Sequence, residues 1–251
     1  MLAGGARDAV AAADPSAPNK AFVAVAGVAL VARVIAVLRA VPRIERIVAV
    51  APADAQGHAA LREADEVRPD GPRMLDSLRS GLRDFPADEP ALIVASDLPV
   101  LDRATLDEFL DLAASSGAAL VYSCVERGVH EARYAEFPHT WAHLHEGSFC
   151  GGGCAVVAPR LLPVLEGTLE KLGSARKNPL ALAAIFGADV LAKYALGRLS
   201  IADAEARAGR LLGAPASAAV CQHAEIAINI DRPGDLELAE RLLSGGASAS
   251  A

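Results

Sequence analysis

The stretch Ala91-Leu92-Ile93-Val94-Ala95-Ser96-Asp97-Leu98-Pro99 carries the strongest indication of the fold. Its first five residues are all apolar, which predicts a fully buried strand of the kind found in parallel sheets. The strand pattern stops at Ser96, so Asp97 falls just beyond the carboxyl end, where open α/β sheets bind their ligands. A carboxylate at that position suits Mg²⁺. An aspartate that only opens a turn before Pro99 explains this motif alone equally well.

Helical and strand-like patterns alternate on both sides of this stretch, which is typical of βαβ units on a mainly parallel sheet. Residues 44–50 and 118–125 predict two further strands. Asp102 is placed to cap a helix that lies between the first stretch and residues 118–125. Pro233 suits the first turn of a final helix. Apolar residues at helical spacing predict an early helix: Leu30, Val31, Val34, Ile35, Leu38 and Val41.

The chain is predicted to form a single domain over residues 1–243. It has 251 residues, of which 53% are hydrophobic, and no linker rich in Pro, Gly or Ser divides it. Residues 126–149 are irregular in pattern, and 159–212 favour helices, so we expect a substrate-side insertion at about 126–215. Residues 244–251 are only Ser, Gly and Ala, which predicts a disordered tail.

Charge and composition exclude several classes of partner. The net charge is −7 without a basic stripe, so we expect no nucleic-acid polymer as a ligand. The longest apolar run, 21–41, is interrupted by Gly27, Arg33 and Arg39, so no membrane span is predicted. We see no signal peptide, and the four cysteines lack disulfide-type spacing. We therefore expect a cytoplasmic protein.

Two more stretches could share chemistry with Asp97. In Leu2-Ala3-Gly4-Gly5, glycines would let backbone N–H groups approach a phosphate, and Lys20 would add a positive charge. A tight strand exit that needs no ligand is the commoner explanation of such glycines. In Ile228–Leu236, a strand passes into a helix at Asp231, which is either a second metal ligand or a favourable charge near the helix N-terminus. Asp235 fits the latter role better.

Two clusters of polar residues lie in the predicted insertion. Arg176 and Lys177 stand between helical stretches and either bind an anionic group of an acceptor or form a solvated helix end. Zinc-type side chains also lie close together in sequence: His139, His143, His145, Cys150 and Cys154. Their spacing matches no zinc signature, so a structural zinc is not favoured. His143 or His145 could contact an acceptor, and the simplest interpretation gives the cluster no special role.

The order of these motifs resembles that of the MobA-like NTP transferases. The landmarks are Leu2-Ala3-Gly4-Gly5, Asn19-Lys20-Ala21, Gly27, Ser96-Asp97-Leu98-Pro99 and Asp231-Arg232-Pro233-Gly234-Asp235-Leu236. Each motif is short, but the resemblance covers nearly the whole chain, and the order and spacing together are fairly specific. It implies a three-layer α/β/α, Rossmann-like fold of the GT-A type, with a mixed, mainly parallel sheet.

The resemblance also implies roles for individual residues. Lys20 matches the lysine that contacts the phosphates, Asp97 matches the Mg²⁺-binding aspartate, and Asp231 matches the second metal ligand, with Asn229 a lesser candidate. The nucleotide-binding positions would be Leu2, Ala3, Gly4 and Gly5, together with Asp76, Ser77 and Gly81. The acceptor-side glycine loop would be Gly151, Gly152 and Gly153. The family's first loop usually continues with Gly and Arg, whereas Ala6-Arg7-Asp8 follows here, so Arg7 is the candidate replacement.

These observations predict an Mg²⁺-dependent nucleotidyltransferase. It would transfer NMP from an NTP to a small phosphorylated or otherwise anionic acceptor and release pyrophosphate. Two alternatives remain: a GT-A-type glycosyltransferase that uses a nucleotide sugar, and a nucleotide-binding module without catalytic turnover. Such glycosyltransferases usually carry Asp-x-Asp at the metal, whereas Asp97 precedes Leu98-Pro99.

Overall fold

A computed structural model describes residues 1–175 and 185–247 of the chain. Helices and strands alternate through most of these residues. The helices are α1 Leu30–Arg39, α2 Met74–Leu82, α3 Arg103–Ser116, α4 Arg127–Tyr134, α5 Leu162–Ala175, α6 Ala188–Ala195, α7 Ile201–Leu212 and α8 Pro233–Ala247. The strands are β1 Ala24–Val25, β2 Val28–Ala29, β3 Val48–Ala51, β4 Glu66–Pro69, β5 Ala91–Val94, β6 Leu120–Glu126, β7 Ala142–Leu144, β8 Gly147–Val157 and β9 Ala216–Cys221.

A mixed, mainly parallel sheet lies at the centre of the molecule. β3 pairs with β4 in parallel, β8 pairs antiparallel with both β5 and β6, and β6 pairs in parallel with β9. These pairs form two groups of strands, one with β3 and β4 and the other with β5, β8, β6 and β9. Leu2 joins the two groups through parallel bridges to Val50 and Ala95. The order is therefore β4-β3-Leu2-β5-β8-β6-β9, with β7 attached to β8. This confirms the predicted α/β class with a mixed, mainly parallel sheet.

The parallel strands place three predicted motifs at one edge of the sheet. Because Leu2, β3 and β5 run in the same direction, the glycine turn and Asp97 leave the sheet side by side. The backbone N–H of Ile230 donates to the carbonyl of Asp97 at 3.1 Å, which brings the segment before α8 to the same edge. The carboxyl ends of the strands therefore form the place where a ligand would bind.

Helix ends follow the local chemistry of the sequence. The Asp102 side chain accepts a hydrogen bond from the Thr105 N–H at 2.8 Å, so Asp102 caps α3 as predicted. Gly117, with φ at +61°, ends that helix in the left-handed region that favours glycine. Pro233 begins α8, again as predicted.

The strand β8 is the largest departure from prediction. It runs from Gly147 to Val157 between β5 and β6, so Gly151, Gly152 and Gly153 lie within a strand of the central sheet and not in a loop. The insertion expected at about 126–215 therefore includes a strand of the central sheet. Three consecutive glycines carry no alternation of polar and apolar side chains, so the pattern on which strand prediction depends is missing there.

Other boundaries also differ. The irregular stretch 126–149 contains α4 and the start of a hairpin formed by β7 and β8. β9 ends at Cys221 and a 3₁₀ turn follows at Ala224–Ala227, where a strand to Ile230 was predicted. The helix α8 extends to Ala247, so the predicted disorder is wrong for 244–247, while 248–251 lie outside the described residues.

One cavity among the described residues lies away from the edge that carries Asp97. It measures about 1000 Å³ and is lined in part by Met1, Ile47 and Ala91, at the amino ends of the strands. Since open sheets bind ligands at their carboxyl ends, we look for the functional site at Asp97 instead. None of the helices in the described part of the chain has the length and apolarity needed to cross a membrane.

Candidate active site

The glycine turn after Leu2 is held tightly by its surroundings. The Ala3 N–H donates to the Val50 carbonyl at 2.8 Å, and the Gly5 N–H donates to Asp70 Oδ2 at 2.9 Å. A Cβ added at Gly4 would lie 2.6 Å from the Asp70 Cβ, and Gly5 has φ at +110°, so both positions need glycine. Asp70 was not predicted, since a carboxylate that binds a distant backbone N–H leaves no pattern in the sequence.

Asn19 connects this turn to the segment that carries Lys20. Its side-chain nitrogen donates to the carbonyls of Ala3 at 2.9 Å and Gly5 at 3.1 Å. Its oxygen accepts from the Ala21 N–H at 2.9 Å and caps the 3₁₀ turn Lys20–Phe22. Asn19 was part of a sequence motif, but no role was predicted for it. An Asn directly before a short helical turn is the sequence signal for such a cap.

Lys20 brings the two predicted aspartates together. Its Nζ lies 2.6 Å from Asp97 Oδ2, 3.2 Å from Asp231 Oδ1 and 3.0 Å from the Ile230 carbonyl oxygen. Asp97 is buried, whereas the Asp231 side chain is 67% exposed and faces solvent. One cation therefore contacts both carboxylates, and an incoming ligand has access from the Asp231 side.

Local hydrogen bonds fix the position of Asp231. Asp235 Oδ2 accepts from the backbone N–H groups of Asp231 at 2.9 Å and Arg232 at 2.8 Å. Asp235 is itself buried in the first turn of α8, where a negative charge is favourable. These contacts are typical of an acidic residue that stabilises the N-terminus of a helix, which is the role that its position in the sequence favours.

The electrostatics of the site favour a bound cation. Burial raises the pKa of Asp97, and the positive charge of Lys20 opposes that rise. Burial alone would lower the pKa of Lys20, but the carboxylates of Asp97 and Asp231 together raise it above its ordinary value. The pair of carboxylates thus stabilises positive charge at the point where they meet.

The residues present fit a divalent metal ion. Two carboxylates converge on one positive group, and the buried Oδ1 of Asn229 has no hydrogen-bond partner among the described residues. Oxygen donors of this kind are the ligands that Mg²⁺ prefers. Asp97 and Asp231 would hold such an ion, with Asn229 a further oxygen two residues before Asp231.

The other predicted nucleotide-binding residues lie on or near α2. Asp76 pairs with Arg73 at 2.9 Å, and Ser77 Oγ accepts from the Gly71 N–H at 3.1 Å. A Cβ added at Gly71 would lie 2.3 Å from the Asp76 Cβ. Residues 70–77 therefore form a compact segment, and Asp70 joins it to the glycine turn. Gly81 lies further along α2, where an added Cβ would meet Val50 at 2.9 Å.

Arg7 lies beside the loop that follows the glycine turn. Its guanidinium donates to four carbonyls of that loop: Ala11, Asp14, Pro15 and Ala17. These bonds engage both terminal nitrogens and hold the loop together, and a contact of Arg7 with a nucleotide stays a prediction.

Three of the predicted acceptor-side residues, Gly151, Gly152 and Gly153, lie in β8. Gly153 lies in β8 against Leu98, since an added Cβ would be 2.8 Å from its side chain, and Gly151 lies under Tyr122. These glycines permit close packing within the sheet. Arg176 and Lys177 lie outside the described residues.

The predicted cluster of zinc-type ligands is dispersed. His143 Nδ1 lies 2.8 Å from Ser148 Oγ in the β7–β8 hairpin, while Cys150 and Cys154 are free and buried in β8. Across residues 1–175 and 185–247, no group of three His, Cys, Asp or Glu side chains could hold a metal ion. His139 instead packs edge-to-face on His130 at 4.5 Å between ring centroids. Burial lowers the pKa of His139 and the charges of Asp231 and Asp235 act against this, so His139 lies within electrostatic reach of the site.

Comparison with known proteins agrees with this fold. A hypothetical transferase from Thermus thermophilus is 33% identical, with a TM-score of 0.80 over 94% of this chain and 96% of that one. Molybdopterin-guanine dinucleotide biosynthesis protein A from Archaeoglobus fulgidus is 16% identical, with a TM-score of 0.53 over 97% of each chain, and shows the fold alone. No curated protein matches. The model of the MobA-like NTP transferase domain matches residues 2–212, so the chain belongs to that family of nucleotidyltransferases.

Proposed function

We propose that the protein transfers NMP from an NTP to a small phosphorylated or otherwise anionic acceptor, with release of pyrophosphate and with Mg²⁺ as cofactor. The contact of Lys20 Nζ with both Asp97 and Asp231, beside the glycine turn, is the observation that carries this proposal. The fold and the family membership support nucleotidyl transfer in general.

The reaction needs positioning and charge more than covalent help from side chains. An acceptor oxygen forms a bond to the α-phosphorus, the bond from that phosphorus to the bridging oxygen breaks, and the electron pair leaves with pyrophosphate. A phosphate acceptor is already ionised at neutral pH, so no general base is required. Catalysis then depends on holding the reactants in line and neutralising charge that develops in the transition state.

Each proposed residue has a task in that scheme. The glycine turn would approach the nucleotide phosphates closely, and Lys20 would place its ammonium group against their negative charge. Asp97 and Asp231 would hold the divalent cation, whose chemistry when bound is to neutralise charge on the α-phosphate and orient its oxygens. Asp76, Ser77 and Gly81 would border the base, because their segment is joined to the glycine turn through Asp70.

The acceptor would enter from the open side of Asp231. The charge of Asp231 acts on His139, and Trp141 packs against His139 at 5.9 Å between ring centroids. We keep Gly151, Gly152, Gly153, Arg176 and Lys177 as proposed acceptor-side positions. The free cysteines of the chain suit a reducing compartment, and we place the protein in the cytoplasm.

A screen for pyrophosphate release tests the proposal directly. The four NTPs would be combined with MgCl₂ and a library of phosphorylated metabolites, with chelator in parallel. We expect one NTP and acceptor pair to give turnover that chelation abolishes and that Asp97→Asn reduces by about 100-fold or more. Asp107→Asn, on the surface of α3, is the matched control and should retain activity. NTP binding without turnover across the library would favour a nucleotide-binding module instead, and release of a nucleoside diphosphate from a nucleotide sugar would favour a glycosyltransferase.

A further inference from the structure

The side chain of Asn19 is in an unusual position, because it is polar, only 1% exposed, and bonded to two separate parts of the candidate site. Its two amide hydrogens go to the carbonyls of Ala3 and Gly5 in the glycine turn, and its oxygen holds the turn that begins at Lys20. We propose that Asn19 is a positioning residue for nucleotide binding, which sets the distance between the glycine turn and the Lys20 ammonium group. This inference rests on the proposed function.

The amide group of Asn19 matches its surroundings in a way that few side chains could. Both carbonyls of the turn require a donor, while the Ala21 N–H requires an acceptor, and an amide supplies both from one planar group. A buried carbonyl without a donor costs roughly 1–3 kcal/mol, so loss of the amide hydrogens would push the turn away from residue 19. Aspartate has the same shape but no donor when ionised, and serine is too short to reach both carbonyls.

The turn is also held from its other side. Gly5 donates its N–H to Asp70 and accepts from Asn19 at its carbonyl, so the peptide groups of Gly5 are fixed in both directions. Asn19 is the part of this arrangement that also touches the Lys20 segment. Its removal would therefore leave Gly5 held through Asp70 without Asn19, so the turn would move relative to Lys20 and the hydrogen bond from Gly5 to Asp70 would open more often. A nucleotide whose phosphates contact both would bind less tightly.

Calorimetric titration of ATP, CTP, GTP and UTP with MgCl₂ into wild type, Asn19→Asp and Asn19→Ser tests this role. If Asn19 has a positioning role, its replacement raises the Kd of the NTP that wild type binds by about 10-fold or more, and the number of binding sites stays at one per chain. A merely structural role lowers the fraction of competent sites and leaves Kd unchanged, which would overturn the inference. Asn19→Ser keeps an oxygen for the Ala21 N–H and serves if Asn19→Asp fails to fold. Asp8→Asn is the control, because Asp8 is exposed and accepts from the N–H of Ala11 in its own loop.

Hydrogen exchange of the same proteins separates this inference from the proposed function. We expect the amide of Gly5 to exchange at least 10-fold faster in the Asn19 variants than in wild type or Asp8→Asn, without any nucleotide present. Unchanged exchange at Gly5, together with wild-type Kd values, would overturn the role of Asn19 and leave the proposed function intact. Failure of wild type to bind any of the four NTPs would instead overturn the proposed function, and the inference with it.

Discussion

Lys20 is the residue at which distant parts of the chain meet. Asp231 is 211 positions away in sequence and yet lies 3.2 Å from the Lys20 ammonium group. The order of the short motifs was enough to predict that Lys20, Asp97 and Asp231 act together. Asn19 and Asp70 could not be predicted in the same way, because they bind backbone groups of the glycine turn and such bonds leave no spacing rule in the sequence.

Replacement of Lys20 should make the protein depend on a divalent cation for stability. Lys20→Met leaves the two carboxylates without a counter-charge, and we expect the free energy of unfolding to fall by about 1–3 kcal/mol. Millimolar Mg²⁺ should restore more stability to this variant than it adds to wild type, in thermal melts with and without the ion. In the control Lys193→Met, an exposed ion pair with Asp203 is lost, so Mg²⁺ should have no such effect. Equal gains in Lys20→Met and wild type would contradict the account.

His130 should make the protein less stable in mild acid. It is fully buried, neither ring nitrogen has a hydrogen-bond partner among the described residues, and burial lowers its pKa to about 4. Above pH 6.5 both the folded and unfolded forms are neutral, whereas below it the unfolded form takes up a proton that the folded form resists. The free energy of unfolding therefore has its full value above pH 6.5. It decreases by about 2–3 kcal/mol as the pH falls toward 4.

Urea denaturation at pH 7 and pH 4.5 measures this effect. His130→Phe removes the titrating group, so its loss of stability between these two pH values should be smaller than that of wild type by that amount. The same pH dependence in both proteins would show that His130 does not cause it.

At the scale of elements, the strand β8 packs against the segment that carries Asp97. Gly153 lies directly against the buried Leu98, the residue that follows Asp97. The sequence predicted helices and strands with a clear apolar pattern, such as α1 and β5. It also predicted the residue that caps α3. It failed at β8 because glycines have no side chain to alternate, and at α4 because its first turns mix charged and polar residues with few apolar ones.

A methyl group at Gly153 should therefore disturb the metal site through Leu98. We expect Gly153→Ala to lower stability by about 1–3 kcal/mol and to weaken divalent-cation binding, because Leu98 is fully buried and the added methyl group would overlap its side chain. Gly151→Ala is the matched control in the same strand, since its methyl group would meet the hydroxyl end of the half-exposed Tyr122, which can turn aside. Equal effects of the two substitutions on Mn²⁺ affinity would show that Leu98 does not transmit the change.

At the scale of the whole molecule, one hydrophobic core connects both ends of the described chain. Its buried members extend from Ala3 and Val25 through Phe109 and Val121 to Ala239. The first and last motifs of the site, which carry Gly4 and Asp231, are therefore attached to the same core. The sequence indicated this arrangement because no linker interrupts the apolar pattern, although an insertion was expected at about 126–215, a range that includes β8.

This continuous core predicts that the protein unfolds as a single unit. Scanning calorimetry should give one transition with equal calorimetric and van't Hoff enthalpies, as expected for a single cooperative domain. Two resolved transitions would mean that residues 126–215 form a separate unit, and the single-domain prediction would be wrong.

The most direct test of the central claim is a titration of Mn²⁺ followed by electron paramagnetic resonance. If Asp97 and Asp231 hold one divalent cation, wild type binds one Mn²⁺ in the presence of its NTP. Asp97→Asn and Asp231→Asn should then each weaken that binding by at least about 10-fold. Asp102→Asn, which retains the oxygen that caps α3, should bind as wild type does. Undiminished Mn²⁺ affinity in either Asp97→Asn or Asp231→Asn would contradict the account.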